Sequence, residues 1–316
     1  MRCVIFDGRT ADMRVVFFGS GAFGVPTLKQ LHANCDVCCV VSQPDRPAGR
    51  RRTPGATPIS DEALRLGLPL LRMQDINEPA NIDRLRAFET DAWVVIAFGQ
   101  KCSPELLHDR FAINLHASLL PRWRGAAPIH HAVMAGDAQT GVSVITLDRI
   151  MDAGLVLGRM GQPIECTDTT GDLHDALANV GPTLVQQVLA KHLNEGLVGQ
   201  PQDAALVTLA PRLGRADAVI DLSGDADIQR QRINGLSPWP GCRLVVDGVE
   251  LRLLRAGPAD SNSVEPGCLS SSGVLGCGTG ALQLLEVQPA GGRAMTFESW
   301  ANGRRLDAPV VVEVPA

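Results

Sequence analysis

Short runs rich in apolar residues recur through the first half of the chain, at 13–18, 37–41, 92–98, 111–115 and 142–147. Runs of this length with turn residues on either side predict strands buried on both faces. The stretches between them, at about 24–32, 58–66, 78–89, 104–109 and 126–135, read as helices. Alternation of the two signals predicts an α/β domain built on a doubly wound, mostly parallel, Rossmann-like sheet. A long amphipathic helix is predicted over about 170–193, where Leu173, Leu177, Val180, Leu184 and Val188 recur at intervals of three and four. Beyond residue 196 the pattern changes. One helix-like segment near 225–235 is followed by short strand-like runs at 243–246, 249–254, 274–276 and 281–287, with Gly and Pro between them. Several short strands around one helix predict a small β-barrel.

A chain of 316 residues is long for one domain and comfortable for two. With 45% apolar and 20% charged residues it has the composition of an ordinary globular protein. The formal net charge of −5 gives no overall basic field, so any contact with nucleic acid must come from a local patch. The nine cysteines are odd in number and irregular in spacing, which argues against a disulfide framework and for a reducing, cytoplasmic setting. Cys35 and Cys38 have metal-ligand spacing, but no second pair accompanies them, and small buried side chains are the simpler reading. No run of 18 apolar residues predicts a membrane span.

The candidate chemistry centres on Asn114 and His116, where the apolar run 111–115 ends. Residues two apart leave the same face of a strand, about 7 Å apart. The pair therefore combines a fixed amide donor with a ring able to donate, accept or carry a proton near neutral pH. Strand ends are also where open α/β sheets place their ligands. The alternative is a buried polar pair that satisfies loop backbone.

Asn114-Leu115-His116 followed by Ser118-Leu119-Leu120-Pro121 resembles the signature of the folate-dependent formyltransferases. The segments 43–50 (QPDRPAGR), 119–129 (LLPRWRGAAPI), 234–240 (NGLSPWP) and 288–291 (QPAG) narrow the resemblance to members of that family that act on methionyl-tRNA. It runs in order from about residue 13 to about residue 305. The resemblance implies an N-terminal extension at 1–12, a formyltransferase domain at 13–196, a linker at 197–206 and an OB-like barrel domain at 207–316. It also implies transfer of the formyl group of 10-formyltetrahydrofolate to the amino group of methionyl-initiator tRNA, without a metal or an obligate protein partner. Asp152, in a turn after the fifth strand, matches the family's catalytic aspartate and joins Asn114 and His116. The family more often continues Thr-Gly-Asp where this chain has Ala153-Gly154-Leu155. Ser118, Leu119, Leu120 and Pro121 are expected to shape the folate crevice, with Phe98 and Gly99 from the preceding strand end.

Arg46, Arg50, Arg51 and Arg52 form the densest positive patch in the chain, and the matching family loop reaches the acceptor end of the tRNA. Arginines suit phosphate contact there, although a charge run is also an ordinary solvated loop. Arg122 and Arg124 are expected to add phosphate contacts, with Trp123 either stacking beside them or packing in the core.

Three other readings compete. Gly19, Gly21 and Gly24 fit the G-x-G-x-x-G dinucleotide fingerprint. A nicotinamide enzyme also needs an acid at the end of the second strand, however, and this strand ends Val41-Ser42-Gln43. A formyltransferase acting on a sugar nucleotide or ribonucleotide would not need the basic loop together with a C-terminal barrel. A non-catalytic RNA-binding protein would have no use for Asn114, His116 and Asp152 together.

Overall fold

A computed structural model describes residues 10, 12–48, 53–196, 198–260, 264–306 and 309–315. Arg50, Arg51, Arg52 and most of the expected extension at 1–12 lie outside the described residues. From the N-terminus come β1 (Arg14–Gly19), α1 (Val25–Asn34), β2 (Asp36–Ser42), the small hairpin strands β3 (Arg46–Ala48) and β4 (Thr53–Gly55), α2 (Pro58–Arg65) and β5 (Leu70–Arg72). Next are α3 (Pro79–Arg86), β6 (Ala92–Ile96), α4 (Pro104–Leu107), β7 (Ala112–His116), β8 (Arg124–Gly125), α5 (Pro128–Met134), β9 (Gln139–Thr146), β10 (Val156–Pro163) and the long α6 (Thr170–Glu195). Each of α1 to α5 carries a proline in its first turn, where a missing N–H costs nothing and the fixed φ suits the helix.

The main sheet has the order β10-β9-β7-β6-β1-β2-β5. β5, β2, β1, β6 and β7 run parallel, and β9 runs antiparallel to β7. This is the doubly wound, mostly parallel sheet the apolar runs predict. β1 lies between β2 and β6, so the chain switches direction at the carboxyl ends of β1 and β6, the usual position of a ligand crevice. Every residue of β6 is buried, and Phe18, Trp93 and Phe98 form one aromatic cluster in the core on one side of the sheet.

After β11 (Leu209–Ala210) and α7 (Ala226–Gly235), the second fold is built from β12 (Arg243–Val246), β13 (Val249–Pro258), β14 (Cys268–Leu269), β15 (Val274–Gly276), β16 (Ala281–Pro289), β17 (Met295–Thr296), α8 (Phe297–Arg304) and β18 (Val310–Glu313). The order β13-β12-β18-β14-β15-β16 closes through antiparallel pairing of β16 with β13, giving a six-stranded barrel with β17 added on β16. Its interior is filled by Leu244, Leu251, Leu253, Leu269, Leu275, Leu282 and Leu284, with Ile233 of α7 and Phe297 and Trp300 of α8 in the same core.

The 234–240 motif is architectural. The Asn234 carboxamide donates to the Ala256 carbonyl at 2.9 Å and accepts from the Ala256 N–H at 2.8 Å. A side chain at Gly235 would collide with Met134 of α5, at 2.5 Å from its Cγ. Ser237 Oγ donates to the Leu254 carbonyl at 2.6 Å, and Ser237-Pro238 and Trp239-Pro240 are both cis.

The chain divides into two compact units. One comprises residues up to Arg124 with Gly141–Gly161 and Asp175–Thr208; the other comprises Gly125–Thr140, Gln162–His174 and Leu209 onward. Within the second, Arg255 forks onto Asp172 at 2.8 and 3.1 Å and reaches Glu286 at 3.2 Å, at a point where the β13–β16 register shifts.

Candidate active site

β7 sets Asn114 opposite Val95 of β6 and Ile145 of β9, and His116 opposite Ser143 of β9. Asn114 is half-buried and its carboxamide makes no hydrogen bond among the described residues. The His116 side chain is only 6% exposed. Its Nε2 lies 2.8 Å from the Trp123 carbonyl, which can only accept, so Nε2 carries a proton and donates. Its Nδ1 lies 3.6 Å from Asp152 Oδ2, just beyond hydrogen-bond length. Asp152 sits in the turn between β9 and β10 at φ +56°, a left-handed conformation that Asp and Asn adopt more readily than most residues. The turn is pressed onto β9: a side chain at Gly154 would come within 1.7 Å of the Thr146 carbonyl oxygen. Glycine at 154 is thus a requirement for space. The structure brings His116 and Asp152 together and leaves Asn114 on the same strand face.

The loop after His116 is braced from within. Ser118 Oγ donates to the Arg122 carbonyl at 2.6 Å. Ser143 Oγ donates to the Ser118 carbonyl at 2.7 Å and accepts from the Leu120 N–H at 3.1 Å. Arg159 Nε donates to the Leu120 carbonyl at 2.8 Å, and the Leu120-Pro121 bond is cis. Ser118 and Leu120 are buried, so these two side chains build the loop, while Leu119 and Pro121 remain partly exposed. Leu119 passes so close to Gly141 that a side chain there would come within 2.6 Å of it.

At the neighbouring strand ends, Ser20 Oγ and Gln43 Nε2 both donate to the Phe98 carbonyl, at 3.2 and 2.7 Å. The Phe98 ring is buried against Phe18, and its carbonyl is taken up by these two donors. Gly99, at φ +79°, leaves room for the Gln43 carboxamide, which would lie 2.5 Å from a Cβ. The Gly19, Gly21 and Gly24 pattern is likewise occupied by the protein itself. Side chains there would meet the Phe17 ring at 2.6 Å, Ala97 at 3.0 Å and the Phe17 ring at 3.2 Å. Asp45, the nearest acid after β2, is paired with Arg72 at 2.8 Å. The glycines serve a tight strand-to-helix turn.

Of the expected tRNA-binding residues, Arg46 has its backbone in β3, opposite Gly55. Arg122 is exposed, with its guanidinium 4.3 Å from the centre of the Trp123 ring. Trp123 is partly buried at φ +65°, its N–H held by Thr208 Oγ1 at 2.9 Å. Arg124 is partly buried and gives its Nε proton to Gln202 Oε1 at 2.9 Å, which ties it into the scaffold of the site. Sequence reasoning missed Ser143, Arg159, Gln202 and Thr208. Ser20 lies in the glycine turn and Gln43 in the 43–50 motif, so those two had a signal.

The arrangement suits acyl chemistry at a carbonyl. It offers an amide donor and an imidazole on one strand face and a carboxylate beside the ring. Among the described residues no cluster of three His, Cys, Asp or Glu could hold a metal ion, and no helix is long and apolar enough to cross a membrane.

Two family models match the chain: formyl transferase over residues 13–189, and the formyl transferase C-terminal domain over residues 212–305. The methionyl-tRNA formyltransferase of Methylococcus capsulatus is 39% identical over 302 residues, covering 93% of this chain and 98% of its own. Among solved structures, the sugar 3N-formyl transferase WlaRD, in the presence of dTDP and 5-N-formyl-THF, superposes with a TM-score of 0.68 at 13% identity. That match covers 85% of this chain and 96% of WlaRD. HypX from Aquifex aeolicus in complex with tetrahydrofolic acid gives a TM-score of 0.61 at 15% identity, covering 92% of this chain and 47% of HypX. At those identities the two structures share the fold alone. The family models and the close relative together show that the chain belongs to the formyltransferase family, in the company of the methionyl-tRNA formyltransferases.

Proposed function

We propose that this protein transfers the formyl group of 10-formyltetrahydrofolate to the free amino group of methionyl-initiator tRNA, in the cytoplasm. The observation that carries this reading is the meeting of His116 and Asp152 at 3.6 Å, with Asn114 on the same strand face, in a chain alignable almost end to end with a methionyl-tRNA formyltransferase. WlaRD in the presence of 5-N-formyl-THF and HypX in complex with tetrahydrofolic acid support a folate donor for this fold. A formyltransferase domain at 13–196, a linker at 197–206 and a barrel domain at 207–316 would be the working parts.

The reaction moves an acyl group between two nitrogens. The methionyl amine attacks the formyl carbon, the carbonyl becomes a tetrahedral oxyanion, and the intermediate collapses as the bond to folate N10 breaks. The amine gives up one proton and N10 gains one, so no oxidant, metal or covalent enzyme intermediate is required. Asn114 and the His116 ring donate to the oxyanion, where one such donor typically lowers the barrier by about 2.7–4 kcal/mol. Asp152 orients and polarises His116 and takes part in moving the proton from amine to N10 through water. Leu119, Pro121 and the main chain at Phe98 and Gly99 border the folate, over the frame that Ser118 and Leu120 supply. Arg46, Arg50, Arg51, Arg52 and Arg122 meet tRNA phosphates.

Labelled formyl transfer from 10-formyltetrahydrofolate to initiator Met-tRNA and to elongator Met-tRNA tests the reading directly. Transfer to the initiator well above the elongator is the expected result. Transfer to an amino sugar nucleotide instead, with neither tRNA formylated, would overturn it.

A further inference from the structure

We propose that Gln202 is a positioning residue for catalysis, holding the Asp152 turn against His116; this rests on the catalytic roles given above to Asp152 and His116. The Gln202 carboxamide donates from Nε2 to the Asp152 carbonyl at 2.7 Å and to the Gly154 carbonyl at 2.9 Å. Its Oε1 accepts the Arg124 Nε proton at 2.9 Å. A primary amide has two N–H donors and one carbonyl acceptor, and here all three functions are committed. The two donors straddle Ala153 and so fix the turn on both sides of its tip.

The turn needs such a partner. Asp152 is a non-glycine residue at φ +56°, a conformation that persists only where the surroundings hold it. β9 holds the turn through the Leu155 N–H, which donates to Thr146 Oγ1 at 2.9 Å, and through the Thr146 N–H, which donates to the Leu155 carbonyl at 3.0 Å. Gln202 supplies the opposing hold, and its own backbone is anchored nearby. Gln200 and Val156 exchange both main-chain hydrogen bonds, at 2.8 and 2.9 Å. The carboxamide therefore projects from a fixed strand-like segment.

The same segment reaches the other side of the His116 ring. Thr208 Oγ1 accepts the Trp123 N–H and the Thr208 carbonyl accepts the Arg124 N–H, both at 2.9 Å. The Trp123 carbonyl is the partner of His116 Nε2, and the Asp152 carboxylate faces Nδ1. Both groups that face the ring are thus seated on residues 200–208, a stretch that carries none of the family's catalytic side chains. The contact between Asp152 and Nδ1 is already long at 3.6 Å, so a small drift of the turn removes it.

The test uses the full-length protein with Gln202→Leu, which lacks all three hydrogen bonds, and Gln202→Glu, which keeps the acceptor for Arg124 but turns an oxygen toward two carbonyls. Both should lose on the order of 10²-fold in kcat, the scale of an ångström-sized misplacement, with KM for donor and Met-tRNA within about twofold of wild type. In a double-mutant cycle, Gln202→Leu should add little to Asp152→Asn, because both remove the same interaction. Long-range 1H–15N spectra of the His116 ring, recorded without substrate, should show the same displacement in Gln202→Leu as in Asp152→Asn. Wild-type turnover in Gln202→Glu, fully multiplicative losses in the cycle, or an unmoved ring signal in Gln202→Leu would each overturn the proposal. Because the ring spectra need no substrate, they decide the role of Gln202 even if the wild-type protein formylates no Met-tRNA, a result that overturns only the substrate reading.

Discussion

His116 gives its Nε2 proton to the main-chain carbonyl of Trp123, 2.8 Å away, while its Nδ1 faces Asp152. The N–H able to meet a developing oxyanion is therefore engaged by a weak neutral acceptor. An oxyanion is a stronger acceptor than a carbonyl, because hydrogen bonds to charged groups are roughly twice as strong as neutral ones. The exchange of one acceptor for the other favours the transition state over the ground state, which is the condition for raising kcat.

It follows that His116→Ala and Asn114→Ala should each lower kcat on the order of 10²–10³-fold, with the affinity for the folate donor little changed. Single-turnover formyl transfer and donor binding by fluorescence would separate the two effects. Near-wild-type turnover in either variant would remove that side chain from the oxyanion site.

Asp152→Asn offers a clean separation of chemistry from structure. At φ +56° Asn is as well tolerated as Asp, so the turn and the melting temperature should be preserved. The carboxylate beside Nδ1 is lost, and with it the proton relationship with His116. Turnover should fall by roughly 10²–10⁴-fold, the usual contribution of general acid–base catalysis. An active Asn variant would reduce Asp152 to a turn residue.

How much of this was legible in the sequence follows from the physics of each part. β1, β2, β6 and β7 are covered on both faces, so they read as apolar runs. β5, β14, β17 and β18 have two to four residues of mixed exposure, too short for a period to register. α8 buries Phe297, Trp300 and Ala301 within eight residues, a helical stripe that is clear only once the barrel is there to receive it. In the site, Asn114 and His116 were readable because a strand's period of two puts them on one face. Asp152 was readable only through family resemblance, since a turn has no period and its approach to His116 is set by the pairing of β9 with β7. Gln202, Ser143 and Arg159 left no mark in the sequence. They serve main-chain carbonyls, and any polar residue in a loop or on a strand looks the same until the fold shows what it faces.

Acid should loosen the barrel unit at the Asp172–Arg255 fork. Burial alone would raise the Asp172 carboxyl, but hydrogen bonds from Arg255 and Thr169 outweigh it and bring the pKa down to about 2. A carboxylate with a depressed folded-state pKa contributes stability that is complete above its unfolded value, about 3.9, and is lost as pH falls through the folded one. The pair is partly exposed, so the contribution is a fraction of what a buried pair would give. Asp172→Asn should therefore melt below wild type in urea at pH 7, and the gap should close between about pH 4 and pH 2. A gap that stayed constant across that window would mean the side chain contributes through packing and not through charge.

A chain of net charge −5 repels a polyanion overall. Attraction must be concentrated, and the arginines at 46, 50, 51 and 52 are the densest positive stretch available. Each phosphate contact releases condensed counterions, so the logarithm of affinity falls with the logarithm of salt by about 0.9 per contact on a duplex and about 0.7 on a single strand. Replacing Arg46 and Arg50 together by Ala should raise KM for initiator Met-tRNA and flatten its salt dependence by one to two such steps. Folate affinity should not move. A matching loss of folate affinity would show that the loop supports the crevice, and an unchanged KM at both low and moderate salt would leave tRNA recognition to Arg122 and to the barrel.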